Sequence, residues 1–162
     1  MVIAPISFRP GPVPRPDAIL KKRTVELQLV GDNVYENHAA GGTQTLGHPI
    51  VPGDTWSFAL RMQNDGEATD DLRVKPDIPT GVDTNGPLSL RIFVGYFDVT
   101  ALVFGGGFVF QDVAVGETRK MAVQFRAGPA ATSGDFIVLR LALSSEAAPE
   151  VQDAVRVSVR VF

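Results

Sequence analysis

The strongest constraint on the fold is a two-residue alternation of apolar and polar side chains, which recurs between glycine- and proline-bearing turns. In the run 56–63 the apolar positions are Trp56, Phe58, Leu60 and Met62, and the residues between them are small or polar. Side chains of a strand point alternately to the two faces of a sheet, so this period predicts strands with one buried face. The same period marks the runs 25–29, 88–96, 121–125, 137–143 and 155–161, and shorter strands are predicted at 72–75 and 108–112.

Turn residues separate these runs, and no segment carries a sustained helical period. The triplets Pro52-Gly53-Asp54 and Asn64-Asp65-Gly66 flank the run 56–63, and Gly105-Gly106-Gly107 separates two later runs as a predicted bulge or hairpin tip. Seven or more strands without helices predict an all-β fold, a β-sandwich of two antiparallel sheets. Its connections are either Ig-like or those of a jelly roll. Trp56 is predicted to anchor the core from a central strand.

The first 17 residues differ from everything that follows, because proline recurs almost every second residue from Pro10 to Pro16. Proline lacks a backbone donor and favours an extended course, so residues 1–17 are predicted to form an arm and residues 18–162 the sandwich domain. The arm is too apolar for an inert linker. Its own sandwich or a neighbouring molecule is therefore expected to cover the apolar residues, which are Val2, Ile3, Ile6, Phe8 and Val13.

Composition excludes several classes of partner and site. The 162 residues hold 15 basic and 18 acidic side chains, a net charge of −3, which is too balanced for a nucleic-acid binder. Cysteine is absent, which removes disulfides, thiolate nucleophiles and cysteine-based metal sites. No apolar run has the length of a membrane span, and the residues after Met1 do not read as a signal peptide, so Sec-type export is not expected if Met1 is the natural start.

No residue pattern predicts catalysis or a bound cofactor. The two histidines, His38 and His48, are ten residues apart without further ligands nearby and are interpreted as surface-loop residues. Serine, histidine and carboxylate do not occur in a recognisable triad order. Residues 105–107 lack the lysine of a phosphate-binding loop. The chain is therefore predicted to be non-enzymatic and to hold no cofactor.

Two groups of residues remain as candidate binding sites within the sandwich. Calcium ligands are conceivable in an oxygen-rich loop that contains Asp65, Glu67, Asp70 and Asp71, although solvated turns use the same residue types. Phe93 and Phe97 fall on the face opposite the apolar positions of the run 88–96. They are either exposed partner-binding aromatics, with a glycan as one option, or buried in a strand that is covered on both faces.

The final predicted strand offers an edge for assembly. It runs to the chain terminus with Arg156, Ser158 and Arg160 on one face, and a long unpaired strand invites another chain. An extended arm from a neighbouring copy is one way to cover such an edge. Residues 2–8, which precede the dense prolines, are the part of the arm most able to pair.

The order of turns and strands resembles a known family of modules. It is similar to that of the NEW3- and CARDB-type Ig-like modules of bacterial surface and secreted proteins. The segments that carry this similarity are, in order, Pro52-Gly53-Asp54, the strand after it, Asn64-Asp65-Gly66, Val115-Gly116-Glu117 and the last strands. The resemblance covers about residues 50–162. It implies an Ig-like fold and a role as a spacer, an adhesive or carbohydrate-associated module, or a structural subunit.

These observations predict a non-enzymatic structural or interaction subunit of a multicopy assembly. A virion surface, as a capsid-decoration protein, or a cell surface is the expected location, with the protein's own copies or a larger scaffold as partner. Docking is expected through the arm and a sheet edge. The alternative is a secreted glycan- or Ca²⁺-binding β-sandwich module of a larger extracellular protein.

Overall fold

The computed structural model describes residues 12–20, 44–77 and 81–162. The predicted strand 25–29, His38 and four residues of the arm (Val2, Ile3, Ile6 and Phe8) lie outside the described residues. In chain order the elements are β1 (Pro16–Leu20), β2 (Thr45–Ile50), β3 (Thr55–Asn64), β4 (Asp70–Pro76), β5 (Val82–Asn85), β6 (Leu88–Val94), β7 (Phe97–Asp98), α1 (Thr100–Gly105), β8 (Phe108–Val113), β9 (Thr118–Ala127), β10 (Phe136–Ser145) and β11 (Gln152–Val161).

The strands form two sheets, which confirms the predicted β-sandwich. The first sheet has the order β1-β3-β9-β6-β7, and the second has the order β2-β11-β10-β4-β8, with β5 paired to β10. The order β1-β3-β9-β6 facing β4-β10-β11 is that of the ABED and CFG sheets of Ig domains. The connections are therefore Ig-like.

Burial follows the predicted alternation in the long strands. The apolar positions of β3, β9 and β11 face a common core in which Leu60, Phe125 and Val157 are almost completely buried. Trp56 is only half-buried and packs at the margin of this core, so it is a weaker anchor than the sequence predicts.

The final strand is not an edge, contrary to the prediction. β11 pairs with β10 on one side and, in parallel, with β2 on the other, from Thr45 opposite Arg156 to Ile50 opposite Val161. The chain thus covers its own last strand, because β1 lies in the first sheet and β2 crosses to the second. Parallel pairing between distant segments has no local sequence signature.

A buried carboxylate, that of Asp153, lies where β1 of the first sheet meets β2 and β11 of the second, and we call this contact between the sheets the margin. Asp153 is fully buried and its Oδ2 accepts a hydrogen bond from the backbone N–H of Ala18 at 2.8 Å. Its Oδ1 accepts from Gln44 Nε2 at 2.7 Å and from the N–H of Ala154 at 2.8 Å. Asp153 therefore links both sheets and occupies a donor on the outer edge of β1 that a further strand would need.

Candidate interaction surface

A two-residue hairpin turn places aromatic side chains at the edge of the first sheet. Val94 of β6 pairs with Phe97 of β7, and Gly95 and Tyr96 form the turn between them. Gly95 has φ +59°, a conformation that favours glycine. Tyr96 is fully exposed and Phe97 is 77% exposed.

This geometry corrects two interpretations of the run 88–96. Tyr96 does not continue an apolar face, because the strand ends at Val94. Phe93 pairs opposite Asp98, whereas Phe97 pairs opposite Val94, so the two phenylalanines lie on opposite faces of the sheet. Phe93 is half-buried on the outer face, and Phe97 overhangs the sandwich edge.

The helix α1 adds two exposed apolar side chains beside this hairpin. Val99 and Val103 are buried in the core, whereas Leu102 is 57% and Phe104 42% exposed. The helix packs between β4 of one sheet and β6 of the other. We define the apolar corner as Tyr96, Phe97, Leu102 and Phe104.

The start of α1 is fixed to the hairpin by hydrogen bonds. Asp98 accepts from both the backbone N–H and the hydroxyl of Thr100, and these bonds, the side-chain one first, hold the pKa of Asp98 below its ordinary value. The hydroxyl of Thr100 accepts from the N–H of Ile92 at 2.8 Å, and Val99 N–H donates to Ile92 O at 2.8 Å. The edge of β6 is thereby capped by the chain that enters the helix.

The end of α1 is fixed by a charged pair. Arg73 donates to both carboxylate oxygens of Glu146, at 2.6 and 2.8 Å, and to Gly106 O at 2.8 Å. The hydrogen bonds of this pair lower the pKa of Glu146 and raise that of Arg73. Gly107 has φ +104°, and a Cβ there would lie 2.7 Å from Cγ of Arg73, so only glycine fits. The glycine run therefore ends a helix and is not a hairpin tip.

The described part of the arm lies on its own domain. Backbone N–H groups of Asp65 and Glu67 donate to the carbonyls of Arg15 at 2.8 Å and Val13 at 3.2 Å. The side chain of Val13 remains 49% exposed. β1 begins at Pro16, so the last two residues of the predicted arm belong to a strand, while the arm-and-domain division itself stays a prediction.

The four acidic residues considered for calcium are distributed over a turn and a strand. Ser145 Oγ donates to Asp70, and the N–H of Asp112 donates to Asp71 Oδ1 at 2.7 Å. Glu67 is exposed in the turn, and Asp65 is half-buried there. Within the described part of the chain, no group of three or more histidine or acidic side chains is arranged to hold a metal ion.

His48 is not a loop residue, contrary to the sequence interpretation. It lies in β2 and stacks on Trp56, with ring centroids 3.3 Å apart and an interplanar angle of 6°. Burial lowers the pKa of His48 below its ordinary value. The stack borders a surface groove of about 220 Å³ that also contacts Phe162.

Sequence reasoning missed Leu102 and Phe104 as surface residues because the helix has only six residues, and it assigned Tyr96 to an apolar strand face because the run 88–96 extends beyond the end of β6 at Val94. One signal was available. Asp98 precedes an apolar run in which Val99 and Val103 are four residues apart, which is typical of a capped amphipathic turn. Among the described residues, no helix has the length and hydrophobicity to cross a membrane.

Comparison with known proteins establishes the fold. No family model and no curated protein matches the chain. The N-terminal domain of PorA superposes with a TM-score of 0.51 at 15% identity, covering 90% of this chain and 97% of that domain. The CupB6 tip adhesin of Pseudomonas aeruginosa gives a TM-score of 0.46 at 8% identity, covering 73% of this chain and 40% of the adhesin chain. The likeness to PorA shows a shared β-sandwich, and the resemblance to NEW3- and CARDB-type modules is supported only at that level.

Proposed function

We propose that this protein is a non-enzymatic interaction subunit that assembles in multiple copies, with the arm of one copy docking on the apolar corner of the next. The proposal rests on the exposure of the apolar corner, whose backbone is held by the hydrogen bonds at both ends of α1. Aromatic side chains each offer about 150–250 Å² of surface, so the corner presents several hundred Å² of apolar area. The largest exposed apolar patch of a soluble protein is commonly of this size and often serves a function.

The occupant we propose is residues 2–8 of a second copy. These residues include the apolar Val2, Ile3, Ile6 and Phe8, which complement an apolar surface. We assign the occupant to another molecule, and the oligomeric state of the full-length chain tests this assignment.

The position and length of the arm bring an apolar corner within its reach. Pro16 pairs opposite Asn64, at the end of the first sheet where the β6–β7 hairpin also lies. The 11 residues before Pro12 reach about 36 Å when extended, against about 19 Å across the five strands of the sheet. The arm is therefore long enough to reach an apolar corner, either its own or that of a neighbouring copy, and the monomeric or oligomeric state of the full-length chain distinguishes the two.

The location of the assembly is part of the proposal. A capsid-decoration or cell-surface subunit needs a docking surface, and we propose the apolar corner for that role. The glycan-binding alternative concerns a different face of the sandwich, described below.

Light scattering across a concentration series tests the proposal. We expect an oligomer for the full-length chain and monomers for a variant that lacks residues 1–11, a deletion that keeps the contacts of Val13 and Arg15. The variant Phe97→Ser is expected to weaken association at least tenfold. The control Val115→Ser, which also removes an exposed apolar side chain but lies outside the corner, is expected to leave it unchanged.

Thermal unfolding checks that the variants remain folded. Monomeric full-length protein overturns the proposal, as does an oligomer that survives both the deletion and Phe97→Ser. If the deletion abolishes the oligomer and Phe97→Ser does not, the arm is needed for assembly but does not dock on the apolar corner.

A further inference from the structure

We infer that the outer face of the first sheet binds an anionic polysaccharide. The surface consists of the outward side chains of β3, β9 and β6, here called the basic face. Its registers form four rows across the sheet, which are Thr55–Arg126–Ser89, Ser57–Gln124–Arg91, Ala59–Ala122–Phe93 and Arg61–Lys120. The inference is independent of the apolar corner, because it concerns other residues and another class of ligand.

The basic face carries an excess of positive charge. The outward positions of these three strands carry Arg61, Arg91, Lys120 and Arg126 and no carboxylate, in a chain whose net charge is −3. Two acidic side chains border these strands, Asp98 on β7, 3.9 Å from Arg91 Nε, and the buried Asp17 on β1, which pairs opposite Gln63. Arginine guanidinium groups bind carboxylate and sulfate oxygens with paired, charge-assisted hydrogen bonds. The face is thus complementary to a polyanion.

The basic face also contains two shallow grooves. One groove of about 350 Å³ lies along the first two rows and is lined by Arg126, Gln124, Ser89 and Thr55. A second groove of about 310 Å³ lies along the last two rows and is lined by Phe93, Ala122 and Lys120. Each has the volume of a small-ligand site, about 300–1,000 Å³. Together they follow the strands for about 20 Å, which suits a linear chain.

The chemistry of the third row, Ala59–Ala122–Phe93, favours a sugar polymer over other polyanions. Ala59 and Ala122 form a flat apolar floor beside the half-buried ring of Phe93, which fits the C–H face of a pyranose. The flanking Gln124 and Ser89 can hydrogen-bond hydroxyl groups. Single-stranded nucleic acid requires successive aromatic platforms, and this face has one. Protein hot spots require a desolvated aromatic cluster, and the basic face has a single aromatic ring, Phe93.

Affinity electrophoresis of the full chain through gels that contain alginate tests the inference at about 150 mM salt, with neutral dextran as a reference. We expect retardation by alginate and none by dextran. Arg126→Gln and Phe93→Ala are each expected to weaken binding about tenfold. The matched control is Arg160→Gln, an exposed arginine on the outer face of the second sheet, which is expected to change binding less than twofold.

The outcomes separate specific binding from net charge. Equal losses for Arg126→Gln and Arg160→Gln show attraction by charge alone and overturn the inference, as does the absence of binding or equal retardation by dextran. Lys120→Gln repeats the test if Phe93→Ala fails to fold. All these variants are expected to assemble normally, so failure here leaves the proposed assembly role intact.

Discussion

At the residue scale, the most informative contact is the stack between His48 and Trp56. Two aromatic rings from different sheets lie nearly parallel at 3.3 Å, and burial disfavours the charged imidazolium. The sequence contains both residues but not their contact, because His48 reaches Trp56 only through the parallel pairing of β2 with β11. A histidine in a glycine-rich segment is interpreted locally as a loop residue, and tertiary structure overrides that interpretation.

This stack predicts a loss of stability on mild acidification. The folded pKa of His48 lies below its unfolded value of about 6.5, so below that pH the unfolded state binds more protons and the free energy of unfolding decreases. Between pH 7.5 and 5.5 the melting temperature is therefore expected to fall, and to fall less in His48→Phe, which keeps an aromatic ring without titrating. The control is Val115→Ser, an exposed change that adds or removes no group titrating in this range, and it is expected to retain the pH dependence of the parent chain. Equal pH dependence in His48→Phe and the parent would contradict the prediction.

At the element scale, the long strands are predictable and the short connecting elements are not. β3, β9, β10 and β11 each contain ten residues, enough for the alternation to be visible, and all four lie where the sequence predicts strands. β7 and α1 have two and six residues, which is too short for either period to be visible. The apolar corner consists of these short elements. For this reason the sequence singled out Phe97 but missed the rest of the corner.

The link between α1 and β6 is expected to depend on one hydroxyl group. Thr100→Val keeps the shape of the side chain but removes the acceptor for Ile92 N–H and a donor to Asp98. We expect the free energy of unfolding in urea to fall by about 1–2 kcal/mol, because an edge donor of β6 loses its partner. The amide of Ile92 is expected to exchange faster with deuterium. Thr55→Val, at an exposed strand position, provides the control, and unchanged exchange at Ile92 would show that the cap is not needed.

At the scale of the whole molecule, one core supports two surfaces of different chemistry. The outer face of the first sheet is basic, and the sandwich edge beside it is apolar. The apolar corner depends on the two sheets keeping their relative position, because α1 packs against β4 of one sheet and β6 of the other, and the core and the margin at Asp153 hold that position. The sequence predicts the layers, since periodicity marks buried faces. It does not predict the margin, because Asp153 has the local pattern of a surface carboxylate next to a strand.

The role of this margin is testable by a nearly isosteric change. In Asp153→Asn the amide NH₂ replaces one acceptor oxygen, so it faces the backbone N–H of either Ala18 or Ala154, both fixed donors. A buried donor left without an acceptor costs about 1–3 kcal/mol, and we expect the free energy of unfolding in urea to fall by that amount. The control Asp83→Asn, at an exposed position of β5, is expected to have little effect. Because the change affects β1, which directly follows the arm, it is also expected to weaken assembly. A variant as stable as the parent would show that the apolar core alone holds the margin.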